Sequence, residues 1–507
     1  METLVPSSLA PFPVEQAETD VKSTMRFIAA HPEKLSPEVV GQSYMAGLDG
    51  VPWPSTNTLV DSELLLKYDT GDSGNLFITC QAGNHGPLML MTGSLAVREE
   101  PYLLEVELAR GTVHRLRQYI AIGRLPSIPV PARVSSLLEQ ATLLCCQAVT
   151  QQENLLESAR CALESIERCL EAIEDLVCFD GEELLKLRLR QQESSNILIG
   201  FTSPEQLDPS AIPESLTNSF NMTTLPVCWK KASPESEAVK LEIPQEHLAW
   251  CEQEELKLMA GPIVSFAEGH VPDRFHREEG DFNDLQTQCK AFVSHCVEQL
   301  KDHVDLWHAA AGLNRIQDMN LSEEQCVRLA IDAVETIRKQ DQQTPVIVSF
   351  EQPWGEYLSR NQQDLSPLHF ADALVRADLG INGIGMEINW QPGAGNTHPR
   401  DLVALANELD RWTLLQMPLV IFLTAPTGLD DDQFSCSSNR IDQLLTVILG
   451  RPSVQVLIWN QLQDATQGPH LGRGIVDSGG REKPVLRVLE RLSKQLEPGQ
   501  GPGEKTG

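Results

Sequence analysis

Residues 345–389 read PVIVSFEQPWGEYLSRNQQDLSPLHFADALVRADLGINGIGMEIN. Two apolar β-rich runs, Pro345–Phe350 and Gly383–Ile388, flank an amphipathic helical stretch at Ser366–Ala377. Continuous apolar strands separated by a helix mark a parallel unit buried on both faces. The alternation extends in both directions. Upstream lie the runs Ile197–Phe201, Phe220–Pro226, Pro262–Phe266 and Val304–Ala310, and downstream lie Leu419–Thr424 and Val454–Trp459. Helical stretches at Pro244–Met259, Glu323–Arg338, Arg400–Leu415, Arg440–Leu449 and Val485–Leu496 fill most of the intervals. The first connection is short and mostly loop. Eight strands alternating with helices over residues 195–495 predict an α/β fold, a (β/α)8 TIM-type barrel. A doubly wound open sheet is the competing arrangement.

Outside the barrel the pattern changes. Residues 1–102 form an irregular, β-rich segment, rich in Pro, Ser and Gly to about residue 60. The runs ELLLKY, NLFITC and PLMLMTG then alternate with Gly and Asp turns, which predicts a small antiparallel sheet. Residues 103–194 turn helical. Val134, Leu138, Ala141, Cys145 and Ala148 share one stripe, and Leu155, Ala159, Ala162, Ile166, Cys169, Ile173 and Leu176 keep a strict 4-3 alternation. Sustained heptads predict helices packed along a common seam, read here as an intramolecular helical hairpin, with a homodimer as the alternative use of that seam. Residues 496–507, ending EPGQGPGEKTG, have the composition of a disordered tail.

Charge narrows the function classes. The 507 residues carry 71 acidic and 40 basic side chains, a net charge of −31, which repels phosphate backbones and argues against nucleic acid as a partner. The longest mainly apolar run, Met417–Ala425, falls well short of the ~20 residues a membrane helix needs, so no membrane partner is expected. The first residues show no leader pattern, and the 12 cysteines form no CxxC pair. Reduced thiols and a cytoplasmic location are therefore expected. His295, Cys296, His303 and His308 match no ligand spacing, so no metal site is expected. The glycines of GINGIGMEIN precede a strand, and GRGIVDSGGREKP lacks the Gly-Lys-Ser/Thr ending of a phosphate loop. Both are turns, and no cofactor is expected.

Barrel chemistry sits at the C-terminal ends of the strands. Those ends carry Glu268 and His270 after the third run, His308 in the fourth, and Glu351 and Gln352 after the fifth. Glu387 and Asn389 end the sixth, Thr424 the seventh, and Trp459, Asn460, Gln461 and Asp464 the eighth. Carboxylates and amides together with tryptophans at 229, 354, 390 and 459 are the composition of a sugar-binding cleft. Indole faces stack on pyranose rings, and the amides and carboxylates bind hydroxyls. Polar rims are common in barrels, so a purely structural role is the competing explanation.

Several stretches resemble glycoside hydrolase family 10, the xylanases. VLIWNQLQDATQGPHLGRGIVDSGGREKPVLRVLERL is similar to that family's last strand and helix, through Trp459, Asp464, the loop at Gly474–Gly480 and the pair Lys483-Pro484. INGIGMEINW is similar to the sixth-strand pattern, SFNMTTLPVCWKK to the second, and HVDLWHAAAGLN to the fourth. The likeness covers about residues 195–495 and implies a (β/α)8 barrel acting on, or binding, an oligo- or polysaccharide. From the strand-end reading together with this likeness, Trp229, His270, His308, Gln352, Trp354, Asn389, Trp459, Asn460, Gln461 and Asp464 are candidates for substrate contact.

The departures are as informative. Aligned through Trp307, the family's Asn-Glu acid/base pair falls on Ala311 and Gly312, and its Thr-Glu nucleophile pair on Thr424 and Ala425. Glycoside hydrolysis needs two carboxyl groups, which Gly and Ala do not supply. Two explanations follow. Either the barrel kept a glycan cleft and lost catalysis, or the chemistry moved to Glu351 and Glu387, with Glu356 of the PWGEY loop as the alternate. A separate alternative is an intracellular scaffold or interaction protein built on a catalytically dead barrel. Neighbouring strands lie ~4.8 Å apart, so carboxyls on the fifth and sixth can approach the ~5–9 Å separations of glycosidases. Glu387 also falls where the family has a substrate-binding Gln, so hydrogen bonding to sugar is its other role.

Overall fold

The computed structural model describes residues 23–124, 127–190, 197–204, 207, 209, 212–233, 241–276, 281–315, 319, 321–361, 363–390, 396–424, 435–464 and 473–496. Ala425 and the tail beyond Leu496 lie outside the described residues, as does the junction around Glu193.

Eight parallel strands close into a barrel with helices between them. They are Leu198–Phe201, Met222–Leu225, Lys257–Ala260, Leu306–Ala311, Val346–Glu351, Gly383–Asn389, Leu419–Thr424 and Val454–Trp459. Each pairs with its sequence neighbour, the eighth pairs with the first, and the third meets the fourth through Met259 opposite Leu306. The long strands are buried along nearly their whole length, as continuous apolar runs require when helices cover one face and a filled interior the other. Met222, Met259, Leu306, Ile347, Val420, Phe422, Val456 and Ile458 fill that interior. Polar caps start the covering helices. Ser322 caps Glu323–Gln340 with a reciprocal bond to Gln325, Ser366 caps Pro367–Arg376, and Asp401 caps Leu402–Trp412.

The third strand corrects the sequence reading. The sequence pattern places it at Pro262–Phe266, after a helix running from Pro244 to Met259. Instead the helix Gln245–Gln253 stops, Glu255 takes a left-handed conformation (φ 54°), and Lys257–Ala260 is the strand. Buried Leu256, Leu258 and Met259 mimic a helical repeat, but a positive φ breaks the helix before them. Val264–Ser265 only adds a short pairing with Ala310 and Ala311.

Two small sheets precede the barrel. One has the strand order Ser55–Val60, Glu63–Tyr68, Ser23–Ile28 and Tyr102–Leu103, and the other joins Tyr44–Ala46, Asn75–Gln81 and Pro87–Met91. Three helices follow, Leu104–Ile122, Ala132–Thr150 and Leu155–Arg190, and the last two pack as the expected hairpin. The predicted stripes form their seam, with Val134, Ala141, Ala148, Ala162, Ile166 and Ile173 at most 1% exposed. The third helix has 36 residues, ~54 Å at the usual rise, and runs on to the barrel. There Gly181 allows close approach, since a Cβ on it would lie 3.3 Å from the carbonyl oxygen of Thr446. Among the described residues no helix is long and apolar enough to cross a membrane, and eleven cysteines are free thiols.

Arg188 locks the long helix to the barrel. Its buried guanidinium donates to the carbonyls of Leu449 (2.9 Å), Arg451 (3.0 Å) and Val454 (2.6 Å), at the entry to the eighth strand. Arg188→Met leaves these acceptors without a charged donor, at a cost of about 2–4 kcal/mol. Urea unfolding followed by helical circular dichroism and by tryptophan emission should shift to lower denaturant in both signals together. Two separate midpoints would contradict this coupling.

Candidate active site

The end of the fifth strand and the end of the sixth lie side by side, with Glu351 in register with Glu387. Residues two apart on a strand share a face, so Ser349 and Glu351 point the same way. Ser349 Oγ donates to Glu387 Oε1 at 2.5 Å, and His308 Nε2 lies 2.8 Å from that same Oγ. The His308 ring and the Ser349 hydroxyl thus form one hydrogen-bonded chain that ends on Glu387. His308 is 2% exposed and stacked on Phe422, and burial pulls its pKa down to about 3, so the ring is neutral.

Glu351 is held from the loop after the fourth strand. Arg315 Nε donates to Glu351 Oε2 at 2.8 Å. Asn314 grips the backbone of the same residue, its Nδ2 donating to the carbonyl (2.8 Å) and its Oδ1 accepting from the N–H (3.1 Å). Burial, and after it the charge of Glu351, pushes Glu387 up to about 7, while the Ser349 hydroxyl and Arg315 act in the opposite direction. A carboxyl that keeps its proton to near neutrality therefore stands beside one that forms an ion pair.

Gly312 ends the fourth strand at φ 66°, and a Cβ there would lie 2.8 Å from Glu351 Oε1. The Glu351 carboxylate thus fills the space into which a side chain from position 312 would start. Next to this pair, Thr424 Oγ1 donates to Asn389 Oδ1 (2.7 Å), and Asn460 Nδ2 donates to Thr424 Oγ1 (3.0 Å). The sixth, seventh and eighth strands are joined there by polar side chains.

The other candidates lie elsewhere. Glu356 is fully buried and paired with Arg400 at 2.9 Å, which makes it an anchor for the N-terminal segment and not a carboxyl at the mouth. Trp354 is half-buried with the Arg400 guanidinium 4.7 Å from its ring centre. Trp229 is 3% exposed and stacked on Phe292, so its indole face packs in protein. Trp459 is 1% exposed and donates to the carbonyl of Arg473. Trp390 is 6% exposed. An open tryptophan-lined groove is thus not formed by these indoles. Asp464 is buried against Lys483 at 2.5 Å and accepts from the Gly474 N–H. Gln352 is 2% exposed at φ 47°, with its amide 3.4 Å from the Asn396 carbonyl. Gln461 donates to the Gln463 carbonyl. His270 and Glu268 lie in the loop after the third strand, where the His270 carbonyl accepts from Lys230 N–H.

Arg315, Asn314 and Ser349 belong to the site and escape the sequence reading. Arg315 follows directly on the GLN sequence after the fourth strand, and a lone cation beside strand-end carboxylates is the signal that marks it. Ser349, two residues before Glu351, follows from strand periodicity alone.

No protein-family model matches the chain, and no curated protein matches it. Among solved structures the chain is similar to xylanase 10B from Thermotoga petrophila RKU-1 in complex with xylobiose, with 14% identity, a TM-score of 0.49 and coverage of 62% of this chain and 97% of that one. It is similar to native xylanase 10B from Thermotoga maritima at 13% identity and a TM-score of 0.49, covering 62% and 98%. A family 10 endoxylanase from a sugarcane soil metagenome matches at 12% identity and a TM-score of 0.47, covering 61% and 99%.

The raised pKa of Glu387 has a consequence for stability. An exposed glutamate releases its proton near 4.5, whereas Glu387 holds it to about 7. The folded chain binds the extra proton between these values, so this group destabilises the fold as pH rises through that window. The cost is absent at pH 4 and complete at pH 8. Glu387→Gln should therefore stabilise the protein at pH 8, by about 1–3 kcal/mol, and leave it unchanged at pH 4. Thermal melts at the two pH values check this, and an equal shift at both would contradict it.

Proposed function

We propose that the barrel mouth binds an oligosaccharide and that Glu387 and Glu351 carry its glycosidic chemistry. The observation that carries this reading is the pair itself: two carboxyls in register on adjacent strands, one pushed up to about 7 and the other ion-paired with Arg315. In hydrolysis the Glu387 proton passes to the leaving glycosidic oxygen as its bond to the anomeric carbon breaks. Glu351 either attacks that carbon or takes a proton from the water that does. The stretches similar to family 10 xylanases point to a β-1,4-linked substrate. Glu351 lies beside Gly312, which places a carboxylate near the fourth-strand end, here in the role of nucleophile or base.

A second reading has its own support. Both carboxyls already have protein partners, and the N-terminal segment is bolted to the loops of the fifth and sixth strands through Arg400, Glu356 and Tyr44. A barrel so engaged suits a glycan-binding or interaction protein without turnover.

One experiment separates these readings: binding and hydrolysis measured together on β-1,4-linked xylo-oligosaccharides. The wild type should bind and cleave, and Glu387→Gln should lose 100-fold or more in rate while its Kd changes less than about 3-fold. The product anomer, read by NMR, then reports the role of Glu351. A wild type that binds without cleaving leaves the second reading, and one that does neither overturns the carbohydrate assignment.

A further inference from the structure

A partly enclosed cavity of about 670 Å³ lies where the N-terminal sheets, the long helix and the barrel meet. Its walls come from the helix Pro37–Gln42 and residues 83–88, from the middle of Leu155–Arg190, and from residues 398–402 and 440–444 of the barrel. Small-molecule sites favour such junctions, at volumes of ~300–1,000 Å³. Val39, Leu88, Ile173, Leu402, Ile441 and Leu444 make the walls mostly aliphatic. Such walls suit an apolar chain better than a sugar, most of whose surface carries hydroxyls.

The charged groups of the lining differ in one respect. Glu174 bonds His85 at 2.8 Å, Arg400 pairs with Glu356 at 2.9 Å, and Asp401 pairs with Arg115 at 2.7 Å. Glu38 is exposed at the rim, where it accepts from Gln42. Arg440 has no carboxylate partner among the described residues. Its guanidinium donates instead to the backbone carbonyls of Asn84 (2.5 Å) and His85 (3.3 Å). The two carbonyls fix the planar fork, so binding an anion there orders little that is not already ordered.

We propose that this cavity binds an amphipathic acyl carboxylate, its chain along the aliphatic walls and its head group on Arg440. The site is separate from Glu351 and Glu387 and does not depend on their role. Calorimetric titration of the full chain with dodecanoate, and with dodecanol as the neutral control, tests it. Dodecanoate should bind one-to-one and at least 10-fold tighter than dodecanol, and Arg440→Gln should abolish that preference. Leu88→Trp, at a half-exposed wall position with Arg440 intact, narrows the cavity and should abolish binding of both ligands. Its melting temperature confirms that it folds. Equal affinity for the acid and the alcohol, an unchanged preference in Arg440→Gln, undiminished binding in Leu88→Trp, or no binding at all would each overturn the proposal.

Discussion

A buried guanidinium organises the contact between the two halves of the molecule. Arg400 has a side chain 2% exposed and donates both to the Tyr44 hydroxyl (2.8 Å) and to Glu356 Oε1 (2.9 Å). Taking a charge pair out of water is costly, and the cost is met only when geometry and extra hydrogen bonds are good. Here one partner sits just after the fifth strand, another just after the sixth, and the third in the N-terminal sheet. The pair is therefore satisfied only if all three elements dock together. Tyr44 is stacked on Phe77 (4.8 Å between ring centres), and the Arg400 guanidinium lies over Trp354, so aromatic packing walls the ion pair off. Met89 N–H donating to the Pro399 carbonyl (2.8 Å) extends the dock with a backbone bond.

That dock fixes the loops that follow Glu351 and Glu387, and so bears on the chemistry of the two carboxyls. Like charges on adjacent strands repel, and the fold answers by giving the two groups different surroundings. Glu351 receives a cation from the loop after the fourth strand, and Glu387 receives a hydroxyl backed by a neutral imidazole. A hydroxyl donor with a neutral histidine behind it supplies far less opposing charge than a guanidinium. Burial and the neighbouring carboxylate therefore dominate at Glu387. Separating two titratable groups through unlike environments is how one site can hold an acid and a base at the same pH.

The sequence carried the fourth to eighth strands well, because each is an apolar run bounded by turn residues, and the fourth, fifth and sixth are followed by a capped helix. The adjacency of Glu351 and Glu387 followed from strand order alone. The third strand was hidden, since Leu256, Leu258 and Met259 continue the spacing of the preceding helix and only the positive φ of Glu255 separates them. Glu356 and the tryptophans show a different limit. Residue type marks a group as useful for sugar binding, but whether an indole face is open depends on partners far away in the chain, such as Phe292 for Trp229 or Arg473 for Trp459. Arg315 and Asn314 act across a strand boundary, and no local pattern announces the contact they make with Glu351.

The fourth and fifth strands offer one space to one carboxylate. At position 312 the backbone is left-handed, a conformation that glycine adopts freely and side chains rarely do. A Cβ there would meet Glu351 Oε1 at 2.8 Å, inside van der Waals contact. A glutamate at 312 would strain the left-handed turn and push Glu351 Oε1 aside. A side chain at 312 and the present position of the Glu351 carboxylate thus compete for one space. Glycine at 312, arginine at 315 and glutamate at 351 form one arrangement, in which the glycine leaves the space that the arginine-held carboxylate occupies.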